Sequence, residues 1–472
     1  MKQRGWLQVR GRDIVDEDGQ IVVLRGVGLG GWMMMENFIT GYPSSEMVMR
    51  AALRKALGEE AYESFFDTFL HDFFDDADAA YLASLGLNHV RLPFNYRHFE
   101  DDLNPGRFKP EGFALLDRAI NLCAQHGLYT ILDLHGLPGW QNQHWHSDNP
   151  THWSSFWNHI EFQDRVVGLW EALAERYRDN PLVAGYNLIN EPGDVAGKTI
   201  DPFYRRLEKA IRSIDGRHIL FLEGNRYATD FDQLGDPLPN TVYAAHDYAL
   251  PGFIDGGGYP GVTRGQYVDR RRVEEVFLNR TAYMRTREVP IWIGEFGPVY
   301  TGDAQNDAWR YQLLEDQLDL YALHGASWAL WTYKDIGLQG LVTVPETTSY
   351  MKLIEPALKK KARLGADAWG GTDTHIRQIM APVEELFQKE FPNFQPYPWG
   401  QQRWINQLVR HMLLAEPLVD DFVAQFAAVS PERAADLGSS FRFDKCQVRA
   451  PLADALKRWS GQATNQRQGG IA

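Results

Sequence analysis

The chain is poor in cysteine, in long apolar runs and in positive charge. Its two cysteines, Cys123 and Cys446, are too few for a disulfide framework, and the apolar helical pattern around Cys123 predicts a buried thiol. The chain contains no run of about 18 apolar residues, so no membrane span is predicted. Lys and Arg number 48 against 62 Asp and Glu, giving a net charge of −14. This balance argues against nucleic acid or an anionic membrane as partner.

The first residues also lack the apolar core of a secretory leader. The chain opens with MKQRGW, whereas a leader carries roughly 7–15 apolar residues near its start. We therefore expect a cytoplasmic protein, or a secreted one if a leader has been removed. The sequence leaves the oligomeric state open.

Aromatic residues are plentiful, with 15 Trp, 20 Tyr and 25 Phe. Most aromatic side chains belong to cores, but the C–H faces of sugars stack on such rings, so carbohydrate sites are rich in them. An acidic chain with many aromatics is therefore compatible with a neutral carbohydrate partner.

Short apolar runs alternate with amphipathic helical stretches from residue 21 onward, a rhythm typical of repeated βα units. Eight strands are predicted, at 22–27, 89–92, 129–134, 183–189, 219–222, 242–245, 291–294 and 327–330. Helices are predicted between them, near 60–85, 111–126, 155–178, 202–213, 266–287 and 305–323. Eight strands with helical crossovers favour a closed (β/α)₈ barrel over an open doubly wound sheet.

The barrel is predicted to span 21–372, preceded by a small hairpin within 1–20. Residues 373–472 are predicted to form a C-terminal helical extension packed on the barrel, ending in a frayed tail. Long loops are expected at 28–60 and 136–153. The glycine-rich stretch 24–31 does not continue as a phosphate-binding loop.

Polar residues end the predicted strands, and in a barrel these ends form the rim where active sites lie. Glu191 follows the fourth strand and Glu295 the seventh, across the mouth from one another. Glycoside hydrolysis requires two such carboxylates: in the retaining route one attacks the anomeric carbon and the other protonates the leaving oxygen. The acid must hold its proton near neutral pH, so its pKa is expected to be raised.

Seven motifs along the chain resemble those of glycoside hydrolase family 5, in the family's order. They are LRGVGLGGW at 24–32, HVRLPFN at 89–95, LDLHGLPGWQN at 132–142, LINEP at 188–192, HDY at 246–248, IGEFG at 293–297 and WALWTYKD at 328–335. The family belongs to a clan of barrel glycosidases with the acid/base after strand four and the nucleophile after strand seven. The resemblance covers residues 21–335 and implies a reaction without metal or cofactor.

The resemblance also implies roles for single residues. Glu191 would be the acid/base and Glu295 the nucleophile. Asn190 would bind the sugar 2-hydroxyl, Tyr248 would donate to Glu295, and Arg91 would orient Glu295. The remaining expected substrate contacts are His135, His246, Trp331 as stacking floor, Glu36 and Asn37 at the terminal sugar, and Trp140 in an aromatic wall.

Structural roles are the alternatives for several of these residues. Arg91 could form a structural ion pair with a barrel acid such as Asp133. The two histidines could be hydrogen-bonded core residues, and Tyr248 and Trp331 could be rim packing.

A metal site is a further alternative, in the loop at 136–153. His144, His146 and His152 lie there with Asp148, and His-x-His can bind zinc. Interleaved tryptophans in the same stretch favour a sugar-binding wall instead.

The first and third motifs most resemble the exo-β-1,3-glucanase and β-glucosidase branch of the family. We therefore expect a retaining β-glycosidase that hydrolyses β-glucosides or β-glucan-type oligosaccharides from a chain end. GEFGP at 294–298 is more like the cellulase and mannanase branches. An endo-β-glucanase, β-mannanase or β-mannosidase is thus the alternative. A non-catalytic carbohydrate-binding barrel is a third reading, against which the intact glutamate pair argues.

Overall fold

Eight parallel strands close into a barrel in the computed structural model, which describes residues 5–461. The strands are β1 (Arg25–Gly28), β2 (His89–Asn95), β3 (Tyr129–Gly136), β4 (Val183–Asn187), β5 (Ile219–Glu223), β6 (Thr241–His246), β7 (Ile291–Phe296) and β8 (Ser327–Leu330). Each strand pairs with the next, and β8 returns to β1 with Trp328 opposite Arg25. The predicted (β/α)₈ barrel is confirmed, while the predicted tail at 462–470 lies outside the described residues.

The apolar strand runs follow from burial on both faces. Every residue of β2 and β3 is buried, because barrel strands are covered by interior side chains on one face and helices on the other. A hairpin of Gln8–Arg10 and Asp13–Val15 covers the N-terminal end of the barrel. Its Leu7 and Ile14 join the interior core cluster that also contains Trp292.

Helices surround the barrel and fill the C-terminal region. They span Asn37–Thr40, Glu46–Leu57, Glu59–Asp72, Asp76–Ser84, Pro110–Gln125, Ile160–Tyr177, Ile200–Arg212, Arg270–Arg280, Ala282–Arg287, Ala304–His324, Ser349–Leu364, Arg377–Glu390, Gln401–Gln407, Ala415–Ala424, Pro431–Gly438 and Ala450–Ser460, with a π-helical turn at Leu408–Leu413. Asn225–Ala228 is a turn in which Arg226, Tyr227 and Ala228 have left-handed φ values. Short strands Lys334–Asp335, Val342–Thr343 and Gln447–Val448 form a separate small sheet. Among residues 5–461, no helix combines the length and apolarity that a bilayer crossing requires.

The structure corrects the prediction of a long loop at 28–60. Helix Glu46–Leu57 lies inside it and buries Met49 and Leu53. Gly41 and Pro43 precede this helix and are typical of a loop. Because the apolar face of the helix is short, its periodicity did not outweigh that loop prediction.

The predicted helix at 266–287 is also wrong at its start. Gln266–Val268 is a strand paired with Gly261–Thr263, and the helix begins only at Arg270. Asp269 caps it by accepting a hydrogen bond from the Arg272 amide at 2.9 Å.

The C-terminal helices share the main hydrophobic core with the barrel layer. Phe422, Leu437 and Leu456 belong to the same cluster as the residues beneath the barrel helices. Helix Pro431–Gly438 approaches the early helix Glu59–Asp72 so closely that a Cβ on Gly438 would lie 2.6 Å from the Phe65 carbonyl oxygen. Cys123 is buried as predicted, and it and Cys446 are free thiols.

A buried lysine after β8 joins three parts of the chain. The Lys334 ammonium donates to the carbonyls of Phe73 and Phe441, both at 2.7 Å, and lies 2.8 Å from Asp78 Oδ1. Lys334 and Asp78 are fully buried, and the Tyr333 hydroxyl donates to the same carboxylate. These two residues of the motif at 328–335 therefore hold the C-terminal region to the barrel.

Replacing Lys334 by Met should destabilise the protein, because Asp78 would stay buried without its counter-charge. Removing one partner of a buried ion pair costs about 3–5 kcal/mol. We expect that loss in the free energy of unfolding, measured by urea denaturation with circular dichroism. Lys359→Met is the matched control, since Lys359 pairs with Glu355 on an exposed helix face. Equal midpoints for the two variants would contradict the role of Lys334.

Candidate active site

A buried arginine lies under the centre of the barrel mouth. Arg91 on β2 is fully buried, and its guanidinium contacts Glu295 at 2.5 Å, Asp133 at 3.0 Å and Glu223 at 3.1 Å. Its Nε donates to Asn187 Oδ1 at 3.1 Å. The carboxylates come from β7, β3 and β5 and the Asn187 amide from β4, so the Arg91 side chain on β2 connects five strands. The expected contact with Glu295 and the alternative contact with Asp133 both exist.

Glu295, at the end of β7, is held by two donors. Arg91 donates to Oε1, and the Tyr248 hydroxyl donates to Oε2 at 2.8 Å. Burial, followed by the charges of Glu295 and Glu191, raises the pKa of Tyr248 well above its usual value. The tyrosine therefore keeps its proton and donates. Two fixed donors orient this carboxylate toward the cavity, as an attacking group requires.

Glu191 follows β4 in a strained backbone conformation. Its φ is 47°, a left-handed value that few non-glycine residues adopt. The surrounding structure holds it there: its amide donates to Glu223 Oε2 at 2.6 Å, and Asn142 donates to its carbonyl at 3.0 Å. Strain held in this way is typical of functional positions.

Two histidines flank the Glu191 carboxylate. His246 Nδ1 lies 2.7 Å from Oε1, and His146 Nε2 lies 3.0 Å from Oε2. Burial by itself would raise the pKa of Glu191, but His146 and His246 outweigh burial and lower it. The expectation of a raised pKa is therefore wrong for this arrangement, because the sequence did not reveal two imidazoles within bonding distance.

His246 carries the complementary shift. Burial opposes its charged form, but Glu295, Glu223 and Glu191 raise the pKa of His246 well above its usual value. Its Nε2 lies 3.4 Å from Glu223 Oε2. A protonated imidazole thus stands between three carboxylates, within one hydrogen bond of Glu191.

The two candidate catalytic carboxylates lie close together. An oxygen of Glu191, an oxygen of Glu295 and a ring nitrogen of His246 all lie within 4.8 Å of one another. Retaining glycosidases separate their carboxyl groups by about 5–5.5 Å, and inverting ones by about 6.5–9.5 Å to admit a water. The geometry fits attack by one carboxylate on a sugar that the other protonates.

The same three residues form the group, within residues 5–461, whose atoms are close enough to hold a metal ion. Their carboxylate oxygens, however, already bond to arginine, tyrosine and histidine side chains. The alternative zinc set in the loop at 136–153 is not assembled. His144 and His146 contact each other at 2.8 Å, but Asp148 instead bonds to Asn95 and Arg97.

A cavity of about 910 Å³ opens above these carboxylates. Eight predicted residues line it: Glu36, Asn37, His135, Glu191, His246, Tyr248, Glu295 and Trp331. Arg91 and Asn190 are fully buried below its floor, where Arg91 donates to Asn190 Oδ1 at 2.6 Å. Arg91 contacts Glu295 from this position, and Asn190 Nδ2 lies 3.0 Å from His135 Nε2. The contact of Asn190 with a sugar 2-hydroxyl stays a prediction. Trp140 lies outside the lining formed by the described residues, in a turn with φ of 59°, so its assignment to the aromatic wall is wrong.

Trp331 and His135 form a stacked pair in the cavity floor. Their ring centroids are 5.4 Å apart, with planes at 8°. His135 Nδ1 lies 2.9 Å from Asp133, and although burial opposes the charged form, Asp133 raises the pKa of His135 to about 9. A Cβ on Gly28 or Gly30 would lie 2.7 or 2.6 Å from the indole. The glycines at the end of β1 and just after it thus leave room for Trp331.

One side of the cavity was missed by sequence reasoning. It is built from the loops after β5 and β6 and from the region after β8, with lining residues Tyr227, Phe253, Trp369, Trp399 and Arg403. These positions lie outside the seven motifs, and no local pattern relates residues near 400 to the barrel mouth. The loop at 136–153 contains His146, but no local pattern indicates its contact with Glu191 at 3.0 Å.

Comparison with known proteins agrees with this geometry. The family model for cellulase (glycosyl hydrolase family 5) matches residues 58–337. The chain is 47% identical over 467 residues to a Beta-xylosidase of Phanerodontia chrysosporium, covering 96% of this chain and 97% of that one. It is 30% identical over 234 residues to a Probable glucan 1,3-beta-glucosidase A of Aspergillus clavatus, covering 47% and 54%. A crystal structure of endogalactoceramidase shares the fold, with a TM-score of 0.51, 20% identity and coverages of 70% and 75%.

Replacing His146 by Gln should move the pH dependence of turnover. Loss of the imidazole leaves burial opposed mainly by His246, so the pKa of Glu191 rises. The alkaline limb of kcat/KM, where an acid loses its proton, should then shift upward by roughly 1–2 pH units. The measurement is a pH profile with an aryl β-glycoside.

The control for that variant is His152→Gln, in the same loop but outside the cavity lining formed by the described residues. Its profile should match the parent's. An alkaline limb that stays in place or moves downward in His146→Gln would exclude this influence on Glu191.

Proposed function

The chain belongs to glycosyl hydrolase family 5, and from that membership we propose a retaining β-glycosidase that removes terminal sugars, with Glu295 as nucleophile and Glu191 as acid/base. The observation that carries this proposal is the approach of their carboxylates to within 4.8 Å at the cavity floor. Water needs a wider gap to attack from the face opposite the leaving group.

In the first step, Glu295 attacks the anomeric carbon and the bond from that carbon to the leaving oxygen breaks. Glu191 gives its proton to this oxygen. His246, whose pKa is raised by the surrounding carboxylates, keeps a proton within one hydrogen bond of the Glu191 carboxylate. In the second step, Glu191 takes a proton from water, the water oxygen bonds to the anomeric carbon, and Glu295 leaves as a carboxylate.

The donors around each glutamate support this division of roles. Arg91 and Tyr248 hold Glu295 with fixed donors that have no proton to exchange at neutral pH. Glu191 instead has imidazole partners, His246 and His146, whose ring nitrogens can carry or accept a proton. A nucleophile needs a stable orientation, whereas an acid/base needs a partner for its proton.

A wall of packed aromatic residues on one side of the cavity supports action on a chain end. Trp369, from the region after β8, packs against Phe38 at 6.1 Å and against Tyr248 at 5.2 Å. This contact joins the loops after β1 and β6 into one wall beside the nucleophile. Glu36 and Asn37 line the cavity at the same wall and offer polar groups to the hydroxyls of a terminal sugar.

For the sugar itself we propose the all-equatorial configuration that xylose and glucose share. The full-length similarity to a protein named Beta-xylosidase and the partial similarity to one named glucan 1,3-beta-glucosidase support this choice. Aryl β-xyloside, β-glucoside and β-mannoside separate the candidates, since mannose turns the 2-hydroxyl axial. Faster turnover of the mannoside than of both others would overturn the choice.

Azide rescue should distinguish the two glutamates. In Glu295→Ala, hydrolysis of an activated aryl β-glycoside should be lost, and azide should restore turnover with an α-glycosyl azide as product. In Glu191→Ala, azide should give the β-glycosyl azide, and glycosides with poor leaving groups should lose about 10²–10⁴-fold in rate. Glu288→Ala, on the exposed surface, controls for expression and handling. Exchanged anomers in the two variants would reverse the assignment.

Product analysis tests action on a chain end. Digestion of xylo-, laminari- and cello-oligosaccharides should release monosaccharide from the first time point, as followed by chromatography. Proton NMR should show that the first product keeps the β-anomer. Early accumulation of internal fragments would favour an endo-acting enzyme, and an α-anomer formed first would exclude the retaining mechanism.

A further inference from the structure

The side of the cavity beside Glu191 is built largely from residues far from the catalytic motifs. If Glu191 protonates the leaving oxygen, the leaving group must lie on its side of the cavity, away from Glu295. The inference below rests on that assignment. Moving outward from Glu191, His146 meets the Tyr227 ring at 5.9 Å, and Tyr227 meets Trp399 at 4.5 Å. Two aromatic faces therefore border the path of the leaving group.

This wall is fastened to the barrel loops. Arg226 donates twice to the Pro398 carbonyl, at 2.6 and 3.0 Å. The Tyr397 hydroxyl donates to Asn225 at 3.1 Å, so the segment before Trp399 is tied to the loop after β5. The segment is thus held in place next to the acid/base.

A second attachment lies on the loop after β3. His411 stacks on Trp145 with centroids 3.9 Å apart and planes at 8°. Residues 397–411 are therefore held at both ends by loops that also shape the catalytic rim. A wall fixed in this way is preorganised for a ligand.

Arg403 supplies a positive charge to this wall. It lines the cavity, and its guanidinium lies 5.8 Å from the Trp399 ring. Burial, followed by repulsion from Arg264, lowers the pKa of Arg403 to about 10, so the side chain remains cationic at neutral pH. Within residues 5–461 it has no hydrogen bond and no carboxylate within ion-pair distance.

Other arginines around the cavity are paired. Arg264 contacts Asp255 at 2.9 Å, Arg280 contacts Asp247 at 2.7 Å, and Arg377 contacts Glu384 at 2.7 Å. Arg410 donates to backbone carbonyls, including that of Asp367 at 2.9 Å. Among the described residues, Arg403 therefore stands beside Tyr227 and Trp399 with no ion-pair partner of its own, since Asp255, the carboxylate that attracts it, pairs with Arg264.

We propose that Tyr227, Trp399 and Arg403 form a leaving-group subsite that selects β-glycosides whose leaving group is a ring bearing a carboxylate. The aromatic faces take the ring. The planar guanidinium fork matches a carboxylate in two parallel hydrogen bonds. The ring is an acidic sugar or an aromatic acid, since both present the same carboxylate.

Paired substrates test this subsite without relying on absolute rates. The first pair is the 4-carboxyphenyl β-glycoside and its neutral 4-carbamoylphenyl analogue. The second pair is the terminal sugar β-linked to a hexuronic acid and to the methyl ester of that acid. The quantity compared is the ratio of kcat/KM, acid over neutral, in parent and variant, so that leaving-group reactivity cancels.

In Arg403→Gln the ratio should fall roughly ten- to hundredfold in at least one pair, and that pair identifies the ring. Arg403→Lys should retain part of the ratio, because it keeps the charge but not the fork. Arg272→Gln is the matched control: Arg272 also lines the cavity but pairs with Glu275 at 3.1 Å, and its ratios should not change. Thermal midpoints check that each variant is folded.

An unchanged ratio in both pairs for Arg403→Gln would overturn the subsite, as would an equal fall in Arg272→Gln. A failure of the proposed function looks different, because the parent protein would then hydrolyse neither member of either pair.

Discussion

The site depends on one buried charge, the Arg91 guanidinium. A cation without water must be matched by buried acceptors, and Arg91 is matched by Asp133, Glu223 and Glu295. These acceptors come from separate strands. The ion pairs with Arg91 therefore hold neighbouring parts of the closed barrel together and also place the Glu295 carboxylate. Glu223 extends the arrangement, since it also accepts from the Glu191 amide and so holds the second glutamate in its strained conformation.

Two glutamates of identical chemistry receive opposite surroundings in this network. Glu295 is hydrogen-bonded to an arginine and a tyrosine, and Glu191 to two histidines, one of which, His246, also lies 3.5 Å from Glu295. This contrast in partners, more than burial, distinguishes the surroundings of the two glutamates. It also explains why burial fails to raise the pKa of Glu191.

The region after β8 completes what the barrel leaves open. Trp369 joins the wall on the nucleophile side, and Trp399 with Arg403 borders the acid/base side. Buried contacts such as the Lys334 ammonium with the Phe441 carbonyl hold this region against the helical layer. The reaction and the choice of substrate therefore occupy different parts of the chain: the strand ends carry the chemistry, and the added loops and helices shape the cavity.

The sequence by itself determined the eight strands and the two glutamates that end the fourth and seventh. Apolar runs and their polar ends are local patterns, and the closure of a parallel barrel brings those ends together. Helix Glu46–Leu57 and strand Gln266–Val268 were not predicted. Turn residues precede the helix, and the strand is only three residues long, so neither shows a clear periodicity. Only the tertiary structure decided that His146 reaches Glu191, that Trp140 lies outside the cavity, and that Arg403 enters it. These contacts join residues that are distant in sequence and follow no period, so packing alone determines them.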